Sequence, residues 1–213
     1  MRGMLFSQME PPPGWEADFH DWYNTEHIPV RLAIPGFDRC TRYEAIDGEP
    51  KYLAIYEISD FAALDTAAYR RLKDEPSERT ARMLGNVRGF TRYIAEERSD
   101  TGGGRGNGDY LSAVAFTVPR EDEVEFDHWY ADEHVPRLML ARDWLRVRRY
   151  VLRTGDPEPY THIALHELAT AEVMDSPERA HARKGPARDA LATKPWFNNS
   201  GRWLYRVIER FEA

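Results

Sequence analysis

The run Phe-x-x-Trp-Tyr-x-x-Glu-His-x-Pro occurs twice in this chain, as Phe19, Trp22, Tyr23, Glu26, His27, Pro29 and as Phe126, Trp129, Tyr130, Glu133, His134, Pro136. Each copy is followed at the same distance by an Arg-x-x-Arg-Tyr segment, Arg39, Arg42, Tyr43 and Arg146, Arg149, Tyr150, so the two halves are an internal duplication. A repeat within 213 residues implies two units of about a hundred residues each, every one able to hold its own core. The boundaries read as 1–98 and 110–213. Between them, 99–109 has no apolar residue and is rich in glycine, the composition of a flexible connector.

Hydrophobic periodicity gives the same element order in both halves. In the first, a strand at 4–9 meets the Pro11-Pro12-Pro13-Gly14 breaker, and an amphipathic helix follows over 16–27, which Pro29 should end or kink. Strands at 37–46 and 52–58 flank an Asp47-Gly48-Glu49-Pro50 turn; 60–74 and 76–84 read as helical, and 87–97 as a closing strand. The second half repeats this with strands at 110–118, 145–153, 160–168 and 202–211 and helices at 122–134 and 171–193. The order β-α-β-β-α-β is the ferredoxin-like one. A four-stranded antiparallel sheet with both helices on one face leaves the other face bare. The fold class expected is therefore α+β, two tandem ferredoxin-like units whose antiparallel sheets face each other as an intramolecular α+β barrel.

With these residues in view, the chain resembles the dimeric α+β barrel superfamily and, within it, the EthD-like group. The resemblance rests on Trp22, Tyr23, Glu26, His27 and Pro29 and on the Pro35-Gly36-Phe37 turn; in the second copy Arg142, Asp143 and Trp144 stand where that turn belongs. The resemblance spans both units. It implies the barrel fold, and functions that range over isomerases, cyclases, haem-dependent oxygenases and proteins of no assigned activity.

Composition narrows the partners. A net charge of -7 and mixed charge signs disfavour nucleic acid and anionic membrane surfaces. One cysteine, Cys40, forms no internal disulfide; no apolar run reaches the ~20 residues of a membrane span, and the N-terminus lacks a signal-peptide core. A cytoplasmic protein acting on a small-molecule metabolite is expected, as a monomer or homodimer.

On a helical wheel Phe19, Trp22 and Tyr23 form an apolar arc with Glu26 near its middle and His27 at its edge. A carboxylate there needs a partner or a wet cavity, and Arg39, Arg42 and Tyr43 are the candidates. Glu26 and Glu133 thus read either as structural links from helix to sheet or as groups that orient His27 and His134. A near-neutral histidine at a helix end suits proton transfer next to a carbonyl, with Tyr23 and Tyr130 placed to bind an oxyanion; the alternative is a histidine that caps the helix. Trp22, Trp129, Arg42, Arg149, Tyr43 and Tyr150 complete the substrate-binding candidates.

His162 and His166 share one face of a strand and could meet His134 at a zinc-like site, with Tyr52 and Tyr56 at the matching places in the first half. A core pair is the competing reading. His20 and His128 are expected to be exposed, and Cys40 to be a small core residue. No nucleophile elbow or P-loop is present. The leading expectation is a cofactor-independent isomerase, cyclase or lyase; a non-catalytic binding module or scaffold, and a haem- or metal-dependent oxygenase, are the alternatives.

Overall fold

The computed structural model describes residues 2–157 and 160–213. Eight strands, β1 (Gly3–Glu10), β2 (Phe37–Asp47), β3 (Tyr52–Ile58), β4 (Arg88–Thr101), β5 (Tyr110–Phe116), β6 (Trp144–Asp156), β7 (His162–Leu168) and β8 (Gly201–Glu212), hydrogen-bond in the order β1-β3-β2-β8-β5-β7-β6-β4 as a closed barrel. The chain divides into two compact units. The first holds residues up to Glu96 with Arg153–Pro157 and Val207–Ala213, and the second holds Glu97–Leu152 and the remainder up to Arg206. Strand β4 extends through Thr101, taking in the first residues of the segment read as a connector; Asp100 there is held by both Nε and Nη2 of Arg146 at 2.8 and 2.6 Å.

In the first unit β1 pairs antiparallel with β3 and β4, and β3 with β2. In the second, β5 pairs in the same way with β7 and β8, and β7 with β6. Both β2 and β6 carry an irregularity two residues from their start, between Phe37 and Arg39 and between Trp144 and Arg146. Entry into these strands differs in one respect. Gly36 sits at φ +102°, while Asp143 at the matching place keeps a negative φ.

Each first helix is broken where the sequence predicts an uninterrupted one. Helix α1 (Glu16–Trp22) passes into a π turn, Tyr23–His27, then α2 (Pro29–Leu32). Proline has no N–H and its ring excludes the carbonyl four residues back. The chain responds with a wider turn, in which the Ile28 N–H reaches the Tyr23 carbonyl at 3.0 Å. The second unit does the same over Trp129–His134, between α5 (Glu123–His128) and α6 (Val135–Leu138), with Val135 N–H on the Tyr130 carbonyl.

The later helices of the first unit are α3 (Ala67–Asp74), N-capped by Thr66, and α4 (Glu78–Leu84), N-capped by Ser77. Their counterparts are α7 (Pro177–Ala182), capped by Ser176, and α8 (Pro186–Ala192), after which the second unit adds α9 (Pro195–Asn198). Helices pack on one sheet face through alternate strand residues, Tyr52, Ala54, Tyr56 and Ile58 in β3 and Ala164 and Leu168 in β7. Among the described residues no helix is long and apolar enough to cross a membrane.

Candidate functional site: one helix–sheet cleft in each unit

The π turns decide what faces the sheet. One extra residue per turn rotates the chain beyond it by about 100°. His27 rather than Glu26 therefore comes under Tyr23: His27 is 5% exposed and lies 4.9 Å from the Tyr23 ring and 4.2 Å from Trp22. A cavity of about 280 Å³ opens between this helix, α3 and the sheet. Its walls are mostly apolar or aromatic, including Leu5, Leu72, Phe90, Tyr23, Tyr56 and Tyr69, and its charged residues are Arg31, Lys73 and Arg92, with no carboxylate.

The electrostatics of this cleft follow from burial. His27 is pushed well below the usual imidazole range, first by burial and then by Arg31 and Arg42, so its ring is neutral. Its Nδ1 makes no hydrogen bond. Burial raises the Tyr23 and Tyr56 hydroxyls, which stay protonated and able to donate. Among the described residues the Tyr23 hydroxyl has only the Met9 sulfur, at 3.7 Å, and the Tyr56 hydroxyl lies buried against the Cys40 thiol, a weak sulfur partner, with no oxygen or nitrogen to bond. Arg31 is fixed by its bond to the His27 carbonyl at 2.8 Å, and Arg92 donates to the Tyr69 hydroxyl at 2.7 Å.

The second unit builds its cleft at the corresponding place with different chemistry. His134 stacks on Trp129 at 4.6 Å, and its Nδ1 lies 2.9 Å from the Ala182 carbonyl oxygen, which can only accept. The proton is thereby on Nδ1 and the lone pair on Nε2. Burial lowers the ring to about 4, with the carbonyl bond opposing and Arg202, Arg183 and Arg188 adding to the depression.

His166 receives the Trp144 indole N–H on Nδ1 at 3.2 Å, so its Nε2 carries the proton and donates to the Tyr130 oxygen at 2.8 Å. The Tyr130 hydroxyl proton is left free to point elsewhere. This cleft is narrow, about 60 Å³, with Phe197 of α9 against both Phe116 and Trp129. It is lined by Arg179, Arg183, Arg188 and Arg202, again with no carboxylate among the described residues.

Several residues read as site candidates stand elsewhere. Glu26 does not meet Arg42: it accepts from Thr80 Oγ1 at 2.9 Å and from Ser77 Oγ, and Thr80 in turn accepts from the Trp22 indole at 3.0 Å. It ties the first helix to the start of α4. Glu133 pairs instead with Arg137 at 3.0 Å. Trp22 is fully buried behind His27 and does not line the cavity, whereas Trp129 does line its own.

Arg42 lies under Tyr23, 4.5 Å from the ring centroid, and donates to Asn24 Oδ1 at 2.6 Å and to His20 Nδ1 at 2.8 Å. Because guanidinium only donates, His20 accepts as a neutral ring; it is half-buried, not the exposed position the sequence suggests. Arg149 repeats this with Asp127 and the Tyr130 ring at 4.9 Å. Each arginine clamps the outer side of the tyrosine and is outside the larger clefts. Tyr43 and Tyr150 are one residue further on, hence on the opposite strand face.

Sequence reasoning passed over the clefts' own cations, Arg31 and Arg92 in the first unit and the four arginines in the second, and named Tyr56 only as the counterpart of His166. Repeat alignment could have pointed to Arg92 and Arg202, which face Ser7 and Val114 at equivalent registers on the central strands.

Metal and haem fare differently from the proton-transfer reading. Both nitrogens of His166 are engaged, His162 turns to Thr161 and the Phe126 ring, and among the described residues no three metal-ligating groups converge. Haem needs open space over one ring nitrogen. Trp22 and Tyr23 crowd His27, no partner orients its Nδ1, and the larger cavity falls just under the about 300 Å³ where drug-sized pockets begin. The residues of the first cleft do not fit a tetrapyrrole, and the second, about 60 Å³ beside His134, has no room for one.

No protein-family model and no curated protein matches this sequence. Solved structures do. An anthrone oxidase-like protein aligns with a TM-score of 0.68 at 12% identity over 100% of this chain and 93% of its own. A candidate monooxygenase of Fusobacterium nucleatum aligns at 0.63 and 10% over 99% and 94%, and a candidate chlorite dismutase at 0.56 and 13% over 98% and 95%. At such identities the likeness is one of fold: this chain has the dimeric α+β barrel fold, both halves in a single polypeptide.

Proposed function

We propose that the chain is a small-molecule enzyme whose clefts take a flat aromatic or carbonyl-bearing metabolite and whose histidines remove a proton from it. One observation carries this: in both units a neutral imidazole lies beside a protonated tyrosine, ring centroids 4.9 and 5.1 Å apart, in a cleft with cations and no carboxylate. The first unit's cavity, about 280 Å³ with aromatic walls, suits a substrate smaller than a drug-sized ligand.

A lowered imidazole is a weak base in the empty cleft. It strengthens as the reaction proceeds, because loss of a proton beside a carbonyl leaves an enolate whose charge favours imidazolium. Tyr23 and Tyr56 are positioned to donate to that oxygen, and Arg31 and Arg92 add positive potential from the wall. His27 takes the proton in the first unit; His134, through Nε2, is the equivalent base in the second. The reading requires no cofactor.

The enolate has three fates. Return of the proton to another carbon gives isomerisation, and attack of the enolate carbon on a second carbonyl of the same molecule, with loss of water, gives cyclisation. Capture by dioxygen gives oxidation, with R₂CH₂ + O₂ → R₂C=O + H₂O as the balanced outcome. The names of the anthrone oxidase-like and monooxygenase neighbours support this last branch.

The test is proton exchange. Enolisable aromatic ketones are incubated with the protein in D₂O, and loss of the α-proton signal and oxygen uptake are followed together. Exchange should fall roughly 10²–10⁴-fold in the His27→Gln, His134→Gln double variant. Exchange and oxygen uptake that match the double variant across the panel would leave a binding module in place of an enzyme.

A further inference from the structure

The two units differ at three of four equivalent positions. Helices α3 and α7 begin after equivalent caps, and α4 and α8 are both seven residues long, so Tyr69 corresponds to Arg179, Lys73 to Arg183 and Thr80 to Arg188; Arg92 corresponds to Arg202 by strand register. The first unit has one lysine and one arginine at these places. The second has four arginines around about 60 Å³.

These arginines are not there to satisfy acidic neighbours. Among the described residues only Arg188 has a carboxylate within ion-pair distance, Asp189 at 3.9 Å, while Arg179 donates to the Met174 carbonyl. Arg188 and Arg202 lean on the rings of Phe197 and Phe116 at 5.8 and 6.0 Å. The cleft gathers four guanidinium groups, Arg179 and Arg188 half-buried and Arg183 and Arg202 more exposed, and burial with the neighbouring Arg183 and Arg202 disfavours the charge of Arg179. Guanidinium groups suit planar or tetrahedral oxoanions, which they grip through paired N–H donors. The remaining polar groups of the cleft agree: the free Tyr130 hydroxyl proton and Ser112 are both able to donate.

We propose that the cleft of the second unit is a binding site for a small oxoanion-bearing ligand, carboxylate or phosphoryl, held by Arg179, Arg183, Arg188 and Arg202 above His134 and Tyr130. The second cleft thus takes a small substrate that carries an anionic group, whereas the wider first cleft takes the larger aromatic body. This stands independently of the proton-transfer reading, since it is tested by binding and not by turnover.

Inorganic phosphate and malonate are titrated into the full chain, with thermal melting and calorimetry as readouts and chloride at matched ionic strength as the control. A saturable rise in Tm is expected for at least one of the two. Tighter phosphate marks a phosphoryl ligand, tighter malonate a carboxylate. Arg179→Gln and Arg183→Gln should each weaken binding by roughly tenfold, about 1.4 kcal/mol.

Arg183→Gln, at an exposed position, should leave the Tm of the ligand-free protein unchanged, so that its weaker binding is not a loss of folding. Bound anion should also move the His134 ring titration, followed by NMR, upward. Melting shifts no larger than those in chloride, or wild-type affinity in the Arg179→Gln, Arg183→Gln double variant, would overturn the proposal.

Discussion

Nδ1 of His134 stands 2.9 Å from the carbonyl oxygen of Ala182, at the end of α7. A carbonyl cannot donate, so this contact fixes the tautomer and leaves Nε2 as the basic atom. His27, at the equivalent position, has no partner on Nδ1. The nitrogen NMR spectrum of the wild-type protein at pH 7 should accordingly show His134 as a pure Nδ1–H tautomer and His166 as a pure Nε2–H tautomer. A protonated Nε2 on His134 would dismiss the base assigned to that cleft.

Acid should destabilise this fold well before its carboxylates protonate. His134 is depressed from 6.5 to about 4, and His27, His166, His20 and His162 are also lowered, burial being the first cause in each. The unfolded chain then binds more protons than the folded one once pH falls below about 6.5, so stability declines from there toward pH 4. For His134 alone, part of whose edge meets the cleft, the loss by pH 4 is on the order of 2 kcal/mol. Urea midpoints that stay flat between pH 7 and 4.5 would contradict this.

Glu26 and Glu133 occupy equivalent places but should not be equally costly to remove. Glu26→Ala leaves Ser77 Oγ and Thr80 Oγ1 without their acceptor and loosens the N-terminus of α4, a loss of about 1–3 kcal/mol. Glu133→Ala breaks one partly exposed pair with Arg137 a turn away, about 0.5 kcal/mol. Chemical denaturation of the two variants measures the difference directly; equal losses would show that the helix tie in the first unit carries no special weight.

The duplication, the strand positions and the β-α-β-β-α-β order were legible in the sequence because they rest on local pattern: β3 spans Tyr52–Ile58 as its alternation predicts. The rotation at the π turn was not legible. It depends on where a proline-displaced carbonyl finds a donor, and a uniform 100° wheel places Glu26 inward where the structure places His27. Arg42 was singled out as a candidate partner of Glu26, but its partners are His20 and Asn24, one of which the Phe-His-Asp-Trp spacing marks as surface. The arginines of the second cleft were hidden for another reason. On α7 and α8 they read as ordinary solvated charges, and only the fold brings them together with Arg202 from a strand.

Tyr56 offers a test of whether the first cleft is kept for a ligand or for stability. Its hydroxyl is buried, held protonated by burial, and has only the weakly bonding Cys40 thiol beside it, although it lines the 280 Å³ cavity. A buried hydroxyl without a partner costs about 1–3 kcal/mol relative to a group that never needed one. Tyr56→Phe keeps the ring and its packing against Phe37, 6.1 Å away, and removes only that oxygen. If the oxygen waits for a substrate carbonyl, the ligand-free variant should melt higher than wild type while α-proton exchange with aromatic ketones falls, since the enolate loses a donor. Should the melting temperature fall instead, the hydroxyl contributes to folding through a contact with Cys40, and its place in the donor set for the enolate must be given to Tyr23 alone.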